Sequence, residues 1–169
     1  MQIPAPFDAF SDVVRADWID HNDHMNMGYY LVVFDFATDA WFQYLGLGPD
    51  YREATNTATF SLEGHITYRR EVVKDDHLRF TTQLLDFDAK RVHYFHRMYH
   101  AGEGFLAATN ELMSIHISRE TRRAAPMAPW VLEKLAAVKT VHDELPRPPE
   151  AGRVIGLKAT ATTPRESSA

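Results

Sequence analysis

The sequence predicts an α+β domain in which one long helix is wrapped by a five-stranded antiparallel sheet, with a second helix at the C-terminal end. Three observations lead there. The stretch Met27–Leu45 is apolar on nearly every side, and four long runs after it are rich in strand-forming residues. Two of the breaks between those runs are short enough for hairpins. A helix with so little polar surface must be enclosed, and the strands that follow are the available enclosure.

The first element is a Val-rich strand from about Asp12 to Asp17, ending near Trp18. The polar run Asp20–Asn26 follows as a loop. Asn26 is a good N-cap, and Gly46, Gly48 and Pro49 form a stop signal, so the long helix spans about Met27 to Leu45. Tyr30, Leu31, Phe34, Trp41, Phe42 and Leu45 form one apolar face, and Val33, Phe36, Ala37, Ala40 and Tyr44 cover much of the remainder. Only Asp35, Asp39 and Gln43, four positions apart, leave a narrow wet stripe.

Four meandering strands come next, over Ala58–Val73, His77–Asp86, Arg91–His100 and Phe105–Ser118. Turn chemistry separates them at Lys74-Asp75-Asp76, at 86–90 and at 101–104. Within the first of these, Phe60, Leu62, Ile66 and Tyr68 alternate with Glu63, His65 and Thr67, which places the two sets on opposite faces. Trp130 to about Leu145 is an amphipathic helix with Leu132, Leu135, Val138 and Val141 as its apolar points. The domain therefore covers residues 1–145. Residues 146–169, rich in Pro, Gly, Ser and Thr, are expected to form a flexible tail.

Composition narrows the function. The chain has 169 residues, enough for one domain; 45% are hydrophobic and 24% charged, the balance of a globular protein. A net charge of −5 provides no basic field for a nucleic-acid partner. The absence of cysteine excludes disulfides, thiolate nucleophiles and Cys-based zinc sites. The N-terminus lacks signal-peptide character, and no apolar run reaches the ~18 residues of a membrane span, so a cytoplasmic protein without membrane association is expected.

The loop Asp20–Asn26 holds two carboxylates, two imidazoles and two amides immediately before the buried helix. The first N–H groups of a helix lack internal partners and favour a negatively charged oxygen. A carboxylate facing such a site suits hydrolysis of an activated acyl group: one group delivers water or attacks directly, and the helix end steadies the tetrahedral charge. The same residues also suit ordinary capping and turns. A metal site built from His21, His24, Asp20 and Asp23 is a further reading, although the spacing fits no familiar ligand set. On the strand, Glu63 and His65 share a face that is either a solvated sheet surface or the wall of a pocket at a subunit boundary.

The run Asp17-Trp18-Ile19-Asp20-His21-Asn22-Asp23-His24-Met25-Asn26-Met27-Gly28-Tyr29-Tyr30 resembles the 4-hydroxybenzoyl-CoA thioesterase-like group of hotdog proteins. Within it, the stretches 34–40, 81–86 and 107–111 are similar to the betainyl-CoA thioesterases of carnitine breakdown. The resemblance implies a hotdog fold, a homodimer or tetramer with active sites across the subunit boundary, and no cofactor, coenzyme A being part of the substrate. It implies Asp20 as nucleophile or general base, and backbone N–H groups of Met27 and Gly28 as the oxyanion site. His24 and Asn26 would shape the loop or hold water, and Glu63 would reach in from the second strand.

Asp23 stands where the family usually has glycine; aspartate tolerates the left-handed turn this needs. A betainyl substrate would carry a trimethylammonium charge, for which Trp18 and Tyr30 are candidate aromatic faces, with His65 lining the same substrate site. Arg119, Arg122 and Arg123 are candidates for the CoA phosphates. Two other functions are compatible with these residues. One is a hydratase or dehydratase of acyl thioesters using His24 or His65, and the other is a non-catalytic acyl-CoA-binding domain.

Overall fold

The long helix, α1 (Met27–Leu45), begins and ends where its caps dictate. Asn26 Oδ1 accepts the Gly28 N–H at 2.9 Å, and Gly46 closes the helix in the left-handed conformation at φ 88°. A side chain at Gly46 would collide with the Trp130 ring, so both the backbone angle and the space demand glycine there. The computed structural model describes residues 2–157. Before α1 lie the strand β1 (Ser11–Val13) and a 3-10 turn (Ala16–Trp18), where the sequence suggested one strand to Asp17. After it come α2 (Pro49–Thr55), β2 (Thr57–Tyr68), β3 (His77–Phe87), β4 (Arg91–His100), β5 (Leu106–Ser118) and α3 (Pro129–His142). The short helix α2 was hidden behind the stop signal at Gly48 and Pro49, because proline is also a favoured first helical residue.

The five strands form one antiparallel sheet in the order β1-β3-β4-β5-β2. Strands β3, β4 and β5 meander as expected. Strand β2 does not continue the meander: it pairs with β5 along nearly its whole length and becomes an edge of the sheet. A bulge between Ser61 and Glu63 changes the face pattern within β2. Beyond it, Gly64, Ile66 and Tyr68 lie opposite Leu112, Asn110 and Ala108 on the helix side, whereas Phe60 lies opposite Ile115 on the outer side. The strict alternation expected for Phe60, Leu62, Ile66 and Tyr68 therefore fails at Leu62, since one extra residue reverses which face follows.

Helix α1 packs its buried residues against the sheet in two groups. Toward its C-terminal end, Trp41, Phe42 and Leu45 meet Leu84, Tyr94 and α3 residues Val131, Leu135 and Val138. Toward its N-terminal end, Tyr30, Val33, Phe34 and Ala37 meet Val14, Trp18, Leu78, Phe80 and Met98. Each of these large side chains contributes about 1.5–3 kcal/mol through burial. Between the groups lies a polar bridge. Thr38 Oγ1 donates to the Phe34 carbonyl at 3.0 Å, so it accepts the His96 Nε2–H at 2.9 Å. His96 Nδ1 is then the acceptor for the Thr82 hydroxyl at 2.8 Å, which fixes a neutral imidazole. Full burial pushes the His96 pKa down to about 3.

The expected tail is partly within the described residues. Pro148 is buried, and the Gly152 N–H donates to Glu111 Oε2 at 2.7 Å on the outer sheet face. Residues 158–169 of that tail lie outside the described residues.

Candidate active site

The loop before α1 is folded by its own polar groups. The Asp20 N–H donates to the His24 carbonyl at 3.0 Å, and the Asp23 N–H to the Asp20 carbonyl at 3.1 Å. Asp23 takes the left-handed conformation, φ 65°, as required of the residue standing in the glycine position. Asp20 Oδ1 accepts the Asn22 N–H at 2.8 Å and lies 3.8 Å from His24 Nδ1, while Oδ2 has no hydrogen-bond partner among the described residues. Asp20 is thus a half-buried carboxylate, held from one side with its second oxygen available, and next to an imidazole.

The helix start is less open than the sequence suggested. The Gly28 N–H is taken by the Asn26 cap and cannot also serve an oxyanion. The Met27 N–H has no acceptor among the described residues and is the amide left for that purpose. Asn26 is accordingly a capping residue, fixing the first turn. Tyr30 is buried on α1 and meets the Tyr68 ring edge-on at 5.2 Å; burial raises its hydroxyl pKa. Tyr68 in turn donates to the Met27 carbonyl at 3.3 Å, which ties the end of β2 to the start of α1. His24, Met27, Tyr30, Tyr68, Arg69 and Arg70 line one cleft of about 300 Å³ at this corner.

Trp18 does not offer a free aromatic face. It is 3% exposed, stacked on Tyr29, and covered by the Arg15 guanidinium 4.6 Å from its ring centre. A resident cation already uses the attraction that a trimethylammonium group would need. His65 lies on the outer face of the sheet, opposite Glu111, and shares a cleft there with Glu63, His93 and Arg153 rather than with Asp20. Glu63 borders that outer cleft and also a groove between α1 and β2, so within one chain neither residue joins the Asp20 loop. Arg119 bonds through its N–H to Asn56 at the far end of β2, and the candidate phosphate arginines therefore stand at the opposite end of that strand from Tyr68. Among the described residues, no three His or carboxylate groups converge as metal ligands.

Two residues escaped the sequence reading. Asn110 is 1% exposed on the helix side of β5, and neither its Nδ2 nor its Oδ1 has a partner among the described residues. Asp35, read as part of a wet stripe, borders the same groove as Asn110, and partial burial with Asp39 nearby holds its carboxyl above the ordinary range. The alternation in Ala108, Asn110 and Leu112 was the available signal, since it puts a polar amide in an apolar row.

Comparisons with known proteins identify the family of the chain. Residues 14–135 match the model of the thioesterase-like superfamily. The chain is 39% identical over 144 residues to betainyl-CoA thioesterase of Pseudomonas aeruginosa, covering 85% of this chain and 91% of that one. It is 34% identical over 145 residues to the L-carnitine dehydrogenase/betainyl-CoA thioesterase of Rhizobium meliloti, spanning 29% of that longer protein. A Staphylococcus aureus protein solved in complex with CoA superposes with a TM-score of 0.84 at 27% identity, covering 94% of this chain and all of that one.

Proposed function

The chain belongs to the thioesterase-like superfamily and is an acyl-CoA thioesterase of the hotdog fold; on that premise we propose that betainyl-CoA is its substrate and Asp20 its essential carboxylate. What supports the mechanism is the Asp20 carboxylate, 3.8 Å from His24 in the loop that leads into α1, together with the Met27 N–H that the Asn26 cap leaves without an acceptor among the described residues. The thioester oxygen accepts the Met27 N–H, where the partial positive charge of the helix end favours the oxyanion. Asp20 either draws the proton from an attacking water or attacks the carbonyl itself. The C–O bond forms, the C–S bond breaks, and CoA leaves as the thiol after taking up a proton; where Asp20 is the attacking group, water then cleaves the acyl–aspartyl anhydride to the free acid and restores the carboxylate. His24, 3.8 Å from Asp20, positions the carboxylate or the water.

The active assembly in this reading is a homodimer formed through β2. Its outer edge has no partner strand among the described residues, and Phe60, Leu62 and Leu31 are 61%, 51% and 53% exposed beside it. Unpaired edges with apolar neighbours favour pairing with another chain. Two β2 strands meeting antiparallel bring the Thr57 end of one copy beside the Tyr68 end of the other. The Arg119–Arg123 stretch of one copy then approaches the Met27 corner of the other, where Arg69 and Arg70 already stand, and these cations hold the CoA phosphates.

Thiol release from a panel of acetyl, betainyl, straight-chain and aromatic CoA esters tests the substrate. Asp20→Asn tests the mechanism: turnover should fall at least about a hundredfold with the fold retained, as for a lost general base. Wild-type turnover in that variant would overturn the role given to Asp20.

A further inference from the structure

Beyond α3 the chain crosses the outer face of the sheet, over a row of paired residues: Gln83 on β3, Phe95 on β4, Glu111 on β5 and His65 on β2. The Gln83 side chain donates to the His142 carbonyl at 3.3 Å, where the chain leaves α3. Glu111 Oε2 accepts the Gly152 N–H at 2.7 Å, and its Oε1 accepts the His93 Nε2–H at 2.8 Å, which fixes the anchor. Between the two attachments Pro148 is buried, and so is Phe95, although it points away from the helix. Past Gly152, Arg153 and Val154 border the cleft over Glu63 and His65, so the segment arrives at β2, an edge of the sheet.

The residues that follow are apolar and stand almost clear of their own chain. Val154, Ile155 and Leu157 are 85%, 88% and 102% exposed. Single exposed apolar side chains are ordinary, but three within four residues, on a segment pinned at its start, form a patch without a cover. Other large apolar side chains left exposed gather at the same edge: Leu31 and Val32 on α1, and Phe60, Leu62 and Tyr68 on β2. Phe60 faces outward, onto the side of the sheet that carries the arm. Reach decides what can meet these residues. The five residues from Gly152 to Leu157 span about 17 Å when extended, and neighbouring strands stand about 4.8 Å apart. From Glu111 on β5 the arm can therefore pass over β2 and reach a strand paired beyond it. A second copy joined through β2 by a two-fold axis places its own β2 there, antiparallel and with the same face outward.

We infer that residues 153–157 are a dimerisation arm. The arm of each copy crosses the β2 boundary on the outer face and packs Val154, Ile155 and Leu157 on the second copy, against Phe60 of the partner subunit and the arm that returns. This rests on the β2 dimer proposed above and adds a second layer of contact to it, on the sheet face away from the helices. The paired edges supply main-chain hydrogen bonds, and the arms supply apolar burial over them. The occupant is a second copy of this chain because the arm is delivered to the one strand edge that such a copy would pair with.

Sedimentation equilibrium of the full chain tests this, comparing the wild type with the triple variant Val154→Ser, Ile155→Ser, Leu157→Ser. The three side chains lie outside the core, so their replacement leaves the fold of one chain intact. The dimer dissociation constant should rise at least about tenfold. Because the chain has no cysteine, Ile155→Cys carries a single thiol. A maleimide should label it at least about tenfold more slowly in the dimer than in the monomer made by adding Leu62→Lys, as expected for a site covered only on pairing. An unchanged dissociation constant in the triple variant overturns the arm while the β2 dimer stands. Equal labelling rates in the two states do the same: fast in both means that nothing covers the arm, and slow in both means that its own chain does. A monomeric wild type, or a Leu62→Lys variant that stays dimeric, overturns the β2 dimer and this inference with it.

Discussion

Replacing Asn110 by leucine should make the protein more stable. Asn110 is 1% exposed and neither the NH2 nor the carbonyl oxygen has a partner among the described residues, so both leave bulk solvent on folding without a protein hydrogen bond in return. An unsatisfied buried polar group costs about 1–3 kcal/mol, and the lower end is appropriate beside an open groove; two such groups give about 2 kcal/mol. Leucine has the same branching and would lie in a row with Ala108 and Leu112, where it adds apolar contact. For a chain of this size each kcal/mol moves Tm by about 2–4 °C, so a rise of roughly 4–8 °C is expected. Thermal unfolding followed by circular dichroism, with urea titration alongside, measures it. A variant destabilised by more than about 1 kcal/mol would refute the reasoning, because it would mean that the amide makes hydrogen bonds in the free protein that the leucine removes.

Acid should weaken the fold before its carboxylates titrate. His96 has a pKa near 3 in the folded protein against about 6.5 unfolded, and His142, buried between Leu84 and Pro4, is shifted the same way. Their contribution is complete above the unfolded value and is lost as pH falls, by about 2 kcal/mol for His96 between pH 6.5 and pH 5. Urea unfolding that is flat across that interval would contradict a buried neutral imidazole. Gly46→Ala should cost at least about 1 kcal/mol, since alanine resists φ 88° and meets the Trp130 ring; adding Trp130→Ala should recover part of that loss in a double-mutant cycle, and strict additivity would exclude the collision. Light scattering should give a dimer for the wild type and a smaller species for Leu62→Lys. An unchanged dimer in that variant would move the interface away from β2.

The parts of the fold set by local chemistry were readable in advance. Asn26 and Gly46 carry the cap side chain and the left-handed turn, so both ends of α1 were visible, as were the hairpins of β3, β4 and β5. The placement of β2 beside β5 was not, because period-two patterning says which residues share a face and nothing about which strand is the neighbour. The bulge at Leu62 is likewise set by pairing with β5. At the site, the crowding of ionisable groups from Asp20 to Asn26 was visible as composition. That the Asn26 cap would consume the Gly28 amide was implicit in naming Asn26 a cap, since one N–H cannot serve two acceptors. The covering of Trp18 by Arg15 depends on the 3-10 turn between them, and the enclosure of Asn110 on residues distant in sequence, so both appear only once the chain is folded.

The bridge Thr38–His96–Thr82 also bears on how finely the proposed catalytic corner is aligned. An apolar helix on an apolar sheet can slide, since one greasy contact substitutes for another. At Thr38 it cannot: four residues back is Phe34 and four ahead is Phe42, so a slip of one turn, about 5.4 Å, would press a phenyl ring against the imidazole and orphan its N–H. The bridge works as a detent. It holds the helix at one longitudinal setting, and with it the distance between Met27 at the helix tip and the strands that shape the groove.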